Sequence, residues 1–189
     1  SLDDFCHAFY GGSGGAPVVK PYTLADVIAT LNGVQHYDWA KFFEDRVEKV
    51  ADHAPLAGIQ TGGWKLTFND RRSDLWNADE DNKKVVDLTY SLGLVARNEG
   101  AIRDVDVGGP AQKAGLAPGG VITQVNARQF GPSAIRDAIH DATAPDDPIE
   151  IVVRNGEYYT THHINYHGGE RYPHLERDSS KPDLLNAIV

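Results

Sequence analysis

The apolar positions of this chain change their period part-way along. Over the first fifty residues they recur every three or four: Leu2, Phe5, Cys6 and Phe9, then Leu24, Val27, Ile28 and Leu31, then Trp39, Phe42, Phe43, Val47 and Val50. That spacing lays an apolar stripe along each of three helices. Gly11-Gly12 ends the first, and "GGSGGAP" reads as a flexible loop. Thr23 caps the second with Asp26 in its first turn, and Asn32-Gly33 stops it; Asp38 caps the third, and Pro55 closes the segment. Cys6, on the first stripe, reads as a small buried hydrophobe. The stripes are large for so short a segment, which predicts that residues 1–54 dock on a body outside it. "LDDFCHAFYGG" reads as the last turns of a helix, and with no Met in the chain the whole reads as a fragment of something longer.

From residue 63 the period is two. "GWKLTF" alternates with Trp64, Leu66 and Phe68 on one face, and "VVDLTYSLGLVA", "AIRDVDV", "GVITQV" and "IEIVVRNGEYYTTHHI" supply further strands, the last with a hairpin at Asn155-Gly156. Between the first two lies "NDRRSDLWNADEDNKK" (69–84), a polar surface excursion anchored only by Leu75 and Trp76. Two short helices interrupt the strands. Pro110 opens "PAQKA", which Gly115 ends, and "PSAIRDAIHDA" carries Ile135, Ala138, Ile139 and Ala142 on one face. Strands with two inserted helices over about 80 residues predict a small partly open β-barrel. The fold class is therefore α+β. An N-terminal helical segment (1–54) precedes the barrel (55–165), and an irregular tail with a short terminal helix (166–189) follows it.

Composition narrows the function. A net charge of -9 over 189 residues, with no run of Lys or Arg, argues against nucleic acid as a partner. No apolar stretch is long enough for a membrane span. One cysteine excludes an internal disulfide. The eight histidines include no H-E-x-x-H and no Cys/His cluster at zinc spacing. His162 and His163 are neighbours on a strand and point to opposite faces, and His167 and His174 read as surface or structural residues. "YHGG" has no G-x-S-x-G to accompany it, and Asp79–Glu80–Asp81 reads as solvated surface. No catalytic residue and no metal ligand is assigned, so no cofactor is expected in these residues.

The lone glycine of "TYSLGL" carries more. A glycine between leucines in an apolar run marks a bulge or a close backbone approach. Successive N–H groups around it form a small anion nest suited to a peptide's terminal carboxylate. The stretch 91–128 resembles a PDZ domain of the bacterial, protease-associated kind. Leu92-Gly93-Leu94 matches that family's carboxylate-binding loop, and "GGPAQKAGLAPGGVITQVN" matches its following segment, with Gly120 where an Asp is usual. The resemblance implies a peptide groove formed by Leu92, Gly93, Leu94, Val95 and Ala96, with Ile135 and Ile139 as the opposite wall.

The flanks extend the likeness. "SLDDFCHAFYGG", "PVVKPYTLADVIATLNGVQHYDWAKFFEDRV", "APLAGIQTGGWKLTFND" and "YHGGERYPHLERDSSKPDLLNAI" resemble the C-terminal portion of the glycyl aminopeptidase family. Those are bacterial zinc metallopeptidases with a thermolysin-like catalytic domain followed by a PDZ domain. The resemblance implies a parent that removes N-terminal Gly or other small residues, with its zinc and ligands upstream of Ser1. It implies two partners, a peptide or protein C-terminus and the parent's own catalytic domain, and is in keeping with a bacterial periplasmic location. Alternatives are a free-standing peptide-binding scaffold and a domain that only packs on the catalytic domain, strapped by "YPHLER"; Trp76 is a candidate docking residue for that role but reads first as packing onto its own barrel.

Overall fold

The computed structural model describes residues 1–12, 14, 19–51 and 53–187, which fall into two compact units, Ser1–Ala57 and Gly58–Val189. Most of the glycine loop lies outside the described residues.

The first unit is helical, as its period predicts. Helix α1 spans Leu2–Tyr10 and α2 spans Leu24–Val34. The Thr23 hydroxyl accepts the Asp26 N–H while the Asp26 carboxylate accepts the Thr23 N–H, a reciprocal cap. Asp38 caps α3, Trp39–Phe43, by accepting the Lys41 N–H at 3.0 Å. The third helix is shorter than its apolar stripe predicts: a π-helical turn, Glu44–Glu48, ends it. None of these four elements contains a buried residue. Their aromatic rings pack on one another instead, as in Phe5 on Phe9 and Trp39 on Phe42. Cys6 is exposed, contrary to expectation, while Phe5 and Phe9 of the same stripe are half-buried, Phe9 against Tyr22.

The second unit begins with the short helix α4, Ala57–Thr61. Strand β1, Trp64–Asn69, pairs antiparallel with β9, Tyr172–Arg177, from the far end of the chain. The "YPHLER" segment, placed in an irregular tail by its prolines, is thus a strand, with Pro173 opposite Phe68 at a sheet edge where a missing donor costs little. Among the described residues beyond it, 178–187, there are turns rather than the expected terminal helix. The polar stretch after β1 is also ordered. Ser73 accepts the Trp76 N–H and starts helix α5, Asp74–Lys83. Leu75 is 80% exposed, while Trp76 packs on Tyr90 and Tyr172.

Strands β2, Val85–Leu88, β3, Leu94–Arg97, and β4, Ile102–Val105, form one antiparallel sheet in that order. Helix α6, Pro110–Lys113, follows with Pro110 in its first turn. A second antiparallel sheet has the order β6-β5-β7-β8, from Val121–Val125 (β5), Arg128–Gln129 (β6), Ile149–Asn155 (β7) and Tyr158–Ile164 (β8). Helix α7, Pro132–Asp141, is inserted before β7. An Ala101–Val121 bridge joins the sheets without closing them into a full barrel. One buried cluster fills the space between, from Val86, Leu88, Leu92 and Leu94 through Ile135 and Ile139 to Ile149, Ile151 and Ile164.

The Gly120 departure has a packing cause. A Cβ at this position would lie 2.6 Å from Val153 Cγ1, so any side chain here meets the β7 wall.

Candidate functional site: the groove between β3 and α7

The run "VVDLTYSLGLVA" reads as one strand but folds as two. Asp87 accepts the Thr89 N–H and hydroxyl at 3.0 and 2.7 Å, a local turn that competes with the ladder. The Leu88 carbonyl then accepts three donors: the Ser91 N–H at 3.1 Å, the Ser91 hydroxyl at 3.3 Å and the Gly93 N–H at 3.0 Å. Gly93 sits at φ +67, and a Cβ there would lie 3.0 Å from Asp106 Cβ and 3.3 Å from Gly109 Cα. Two close approaches therefore converge on Gly93, one from its own preceding strand and one from the loop before α6. The chain reverses, and β2 returns antiparallel along β3 with Leu88 opposite Leu94 and Val86 opposite Ala96.

The seven residues expected to line a peptide groove lie on the Leu92–Ala96 stretch and on α7. Leu92, Leu94, Ala96, Ile135 and Ile139 belong to a single buried cluster, and Val95 is half-buried. The other loop groups are also engaged: the Leu92 carbonyl accepts the Ala111 N–H at 2.8 Å and the Gly93 carbonyl accepts the Asp106 N–H at 2.9 Å. Strand β3, whose Val95 and Ala96 were expected to offer an edge to an added peptide, is paired on both edges, by β2 and by β4.

A polar cluster on the rim was not legible as a site. Glu80, 6% exposed, is the only buried residue of α5. Its carboxylate accepts Arg136 Nη2 of α7 at 2.7 and 2.8 Å, Arg72 Nη1 at 3.2 Å and the main-chain N–H of Asp87 in β2 at 2.7 Å. Arg136 Nε lies 3.4 Å from the Glu170 carboxylate, which in turn accepts the Tyr172 hydroxyl. Burial foremost, then the hydrogen bond to Glu170, pushes the Tyr172 phenol up to about 12. Glu80 was read as solvated because it sits in an acidic run. The overlooked signal is helical: Trp76 and Glu80 are four apart and share a face, so an ordered helix here turns both inward, Glu80 buried and Trp76 half-buried.

Three of the eight histidines bond main-chain carbonyls. His162 Nδ1 bonds the Ala114 carbonyl at 2.9 Å, His167 Nδ1 the Ala142 carbonyl at 3.2 Å and His174 Nε2 the Arg71 carbonyl at 2.7 Å. Among the described residues no three His, Cys, Asp or Glu side chains are grouped to hold a metal.

Three comparisons bear on this geometry. No protein-family description matches the chain, and no curated protein does. Solved structures do. The chain is similar in fold to an aminopeptidase N family protein from Idiomarina loihiensis, with a TM-score of 0.57, 17% identity, and coverage of 86% of this chain and 28% of that one. The HtrA3 PDZ domain, solved with a phage-derived ligand (FGRWV), matches at a TM-score of 0.31 and 17% identity, over 62% of this chain and 95% of that one. Little more than a quarter of the aminopeptidase-family chain is thus spanned by the residues described here. Among those residues no helix is long and apolar enough to cross a membrane.

Proposed function

We propose that these residues are the non-catalytic, PDZ-containing C-terminal part of a zinc-dependent aminopeptidase whose parent removes N-terminal Gly or small residues. The observation that carries this reading is the extent of the fold likeness. It covers 86% of the chain, more than either compact unit contains, so it runs through the helical unit as well as the PDZ-like one. A free-standing peptide-binding scaffold has no use for three helices without a buried residue. In this reading zinc, its ligands and the general base belong to a catalytic domain outside these residues. The PDZ-like unit gates or positions substrate beside it.

The test is hydrolysis of glycyl-p-nitroanilide by the parent and by the 189-residue chain, each with zinc. Activity in the parent alone is the expected result. Turnover by the 189-residue chain overturns the reading, and a parent inactive on every N-terminal residue overturns the aminopeptidase assignment.

A second reading is that the groove receives a peptide C-terminus on Leu92, Gly93, Leu94, Val95 and Ala96, with Ile135 and Ile139 selecting an apolar last residue. The donors converging on one carbonyl beside Gly93 favour it. Titration with apolar peptides, C-terminally free against amidated, tests it by the shifts of the Gly93 and Leu94 amides. Equal silence of both removes it.

A further inference from the structure

We propose that β2, Val85–Leu88, is a built-in ligand of this groove and that Glu80 is the latch that keeps it there. The proposal rests on reading the β3–α7 cleft as a peptide groove.

A peptide added to β3 would need four things, and β2 supplies each. It runs antiparallel to β3 in the register Val86–Ala96 and Leu88–Leu94. Its alternate side chains, Val86 and Leu88, are fully buried in the cluster that contains Ile135 and Ile139. Its last carbonyl lies where a terminal carboxylate would, on the Ser91 and Gly93 N–H groups and the Ser91 hydroxyl. Its far edge is closed by Glu80, which accepts the Asp87 N–H while holding Arg136 of α7. The carboxylate thus ties the occupant to the wall opposite β3.

The occupant is built to be releasable. Helix α5 fully buries only Glu80, with Trp76 half-buried against Tyr90 and Tyr172, so the Glu80 ion cluster is its one buried polar anchor. Lys84, just before β2, is left-handed at φ 54, and Gly93, five residues past Leu88 and just before β3, is left-handed at φ 67, two points at which the chain can swing. When β2 leaves, β3 regains a bare edge and the nest loses its carbonyl. The ligand class is then fixed by what has left: an extended peptide ending apolar-x-apolar with a free carboxylate.

The probe is the hexapeptide Lys83–Leu88 of this sequence, with its C-terminus free or amidated, titrated against the isotope-labelled chain and its Glu80→Ala variant. The wild-type chain is expected to bind weaker than about 1 mM, and the variant at least about tenfold tighter, with shifts at Gly93, Val95 and Ala96 and preference for the free acid. Equal binding by both chains overturns the latch. So does a folded variant whose Val86 and Leu88 amides exchange as slowly as in the wild type. Fast exchange of those amides with no peptide bound instead overturns the groove reading, and the built-in ligand with it. Should Glu80→Ala not fold, native-state hydrogen exchange of the wild type decides. Val86 and Leu88 must open before Ile122 and Ile151, and exchange only through global unfolding overturns the proposal.

Discussion

The Gly93 N–H donates to the carbonyl of Leu88, five residues back in the same chain, at 3.0 Å. One bond thereby reverses the chain, starts the β2–β3 ladder and fills an anion nest with a neutral oxygen. Gly93 pays a left-handed φ for it, and substitution exposes the cost. Ala at this position is expected to destabilise the unit by about 1–3 kcal/mol, the left-handed penalty plus crowding against Asp106 and Gly109. Gly108 shares a positive φ with open space around it. Gly108→Ala carries the backbone penalty alone and is expected to cost less. Urea unfolding of the two variants separates the effects.

Gly120 makes a sharper case, because its φ is unexceptional and only space forbids a side chain. Gly120→Asp restores the residue usual in the resembling family and is expected to cost about 1–3 kcal/mol by overpacking against Val153. Val153→Ala opens that wall. The double variant is expected to lose less than the two single losses added together, and a double-mutant cycle measures the difference.

The Glu80–Arg136 pair spans 56 residues of sequence with both partners largely buried. Removing either leaves the other charge poorly compensated, so each Ala variant is expected to cost about 3 kcal/mol. Arg72 remains beside Glu80, which keeps the figure at the low end. Removing both is expected to cost clearly less than twice that. Additive losses in denaturant unfolding contradict the pairing.

Tyr172 links pH to the same cluster. Its phenol is raised to about 12 in the folded chain, against an ordinary value near 10. The neutral form is the one the fold favours. Its contribution is therefore full below pH about 10 and is lost as pH rises toward 12. Phenolate absorbance should show a late step near pH 12 from Tyr172, in addition to Tyr166, whose phenol burial also raises. Tyr172→Phe removes that late step and flattens the alkaline loss of stability.

What the residue pattern revealed follows from the range of the interactions involved. Caps at Thr23 and Asp38, Pro110 at a helix start and the Gly156 hairpin act within a few residues, and each is where the pattern placed it. The two-helix, strand-rich fold and the gathering of Leu92, Leu94, Ile135 and Ile139 were legible for the same reason, as periodicity plus a motif. The break after Leu88 was not, since side-chain alternation carries on through the turn and only hydrogen bonding to one carbonyl reveals it. Glu80 looked like a solvated charge because its partner Arg136 is remote in sequence. Strand β9 looked irregular because β1, which makes it a strand, lies more than a hundred residues earlier.

That last pairing also orders events in time. Arg177 returns to the Gly63 carbonyl, 114 positions upstream, and Trp64 donates to Asp183 across 119. During synthesis β1 leaves the ribosome early and waits, its main-chain donors unmatched, until nearly the entire unit has followed. Closing so long a loop is entropically little worse than closing one half its length, by about 0.6 kcal/mol. The delay is the greater hazard, because a waiting strand is an adhesive edge for other nascent copies. A chain clipped before Tyr172 would leave β1 permanently without the strand that takes up this edge.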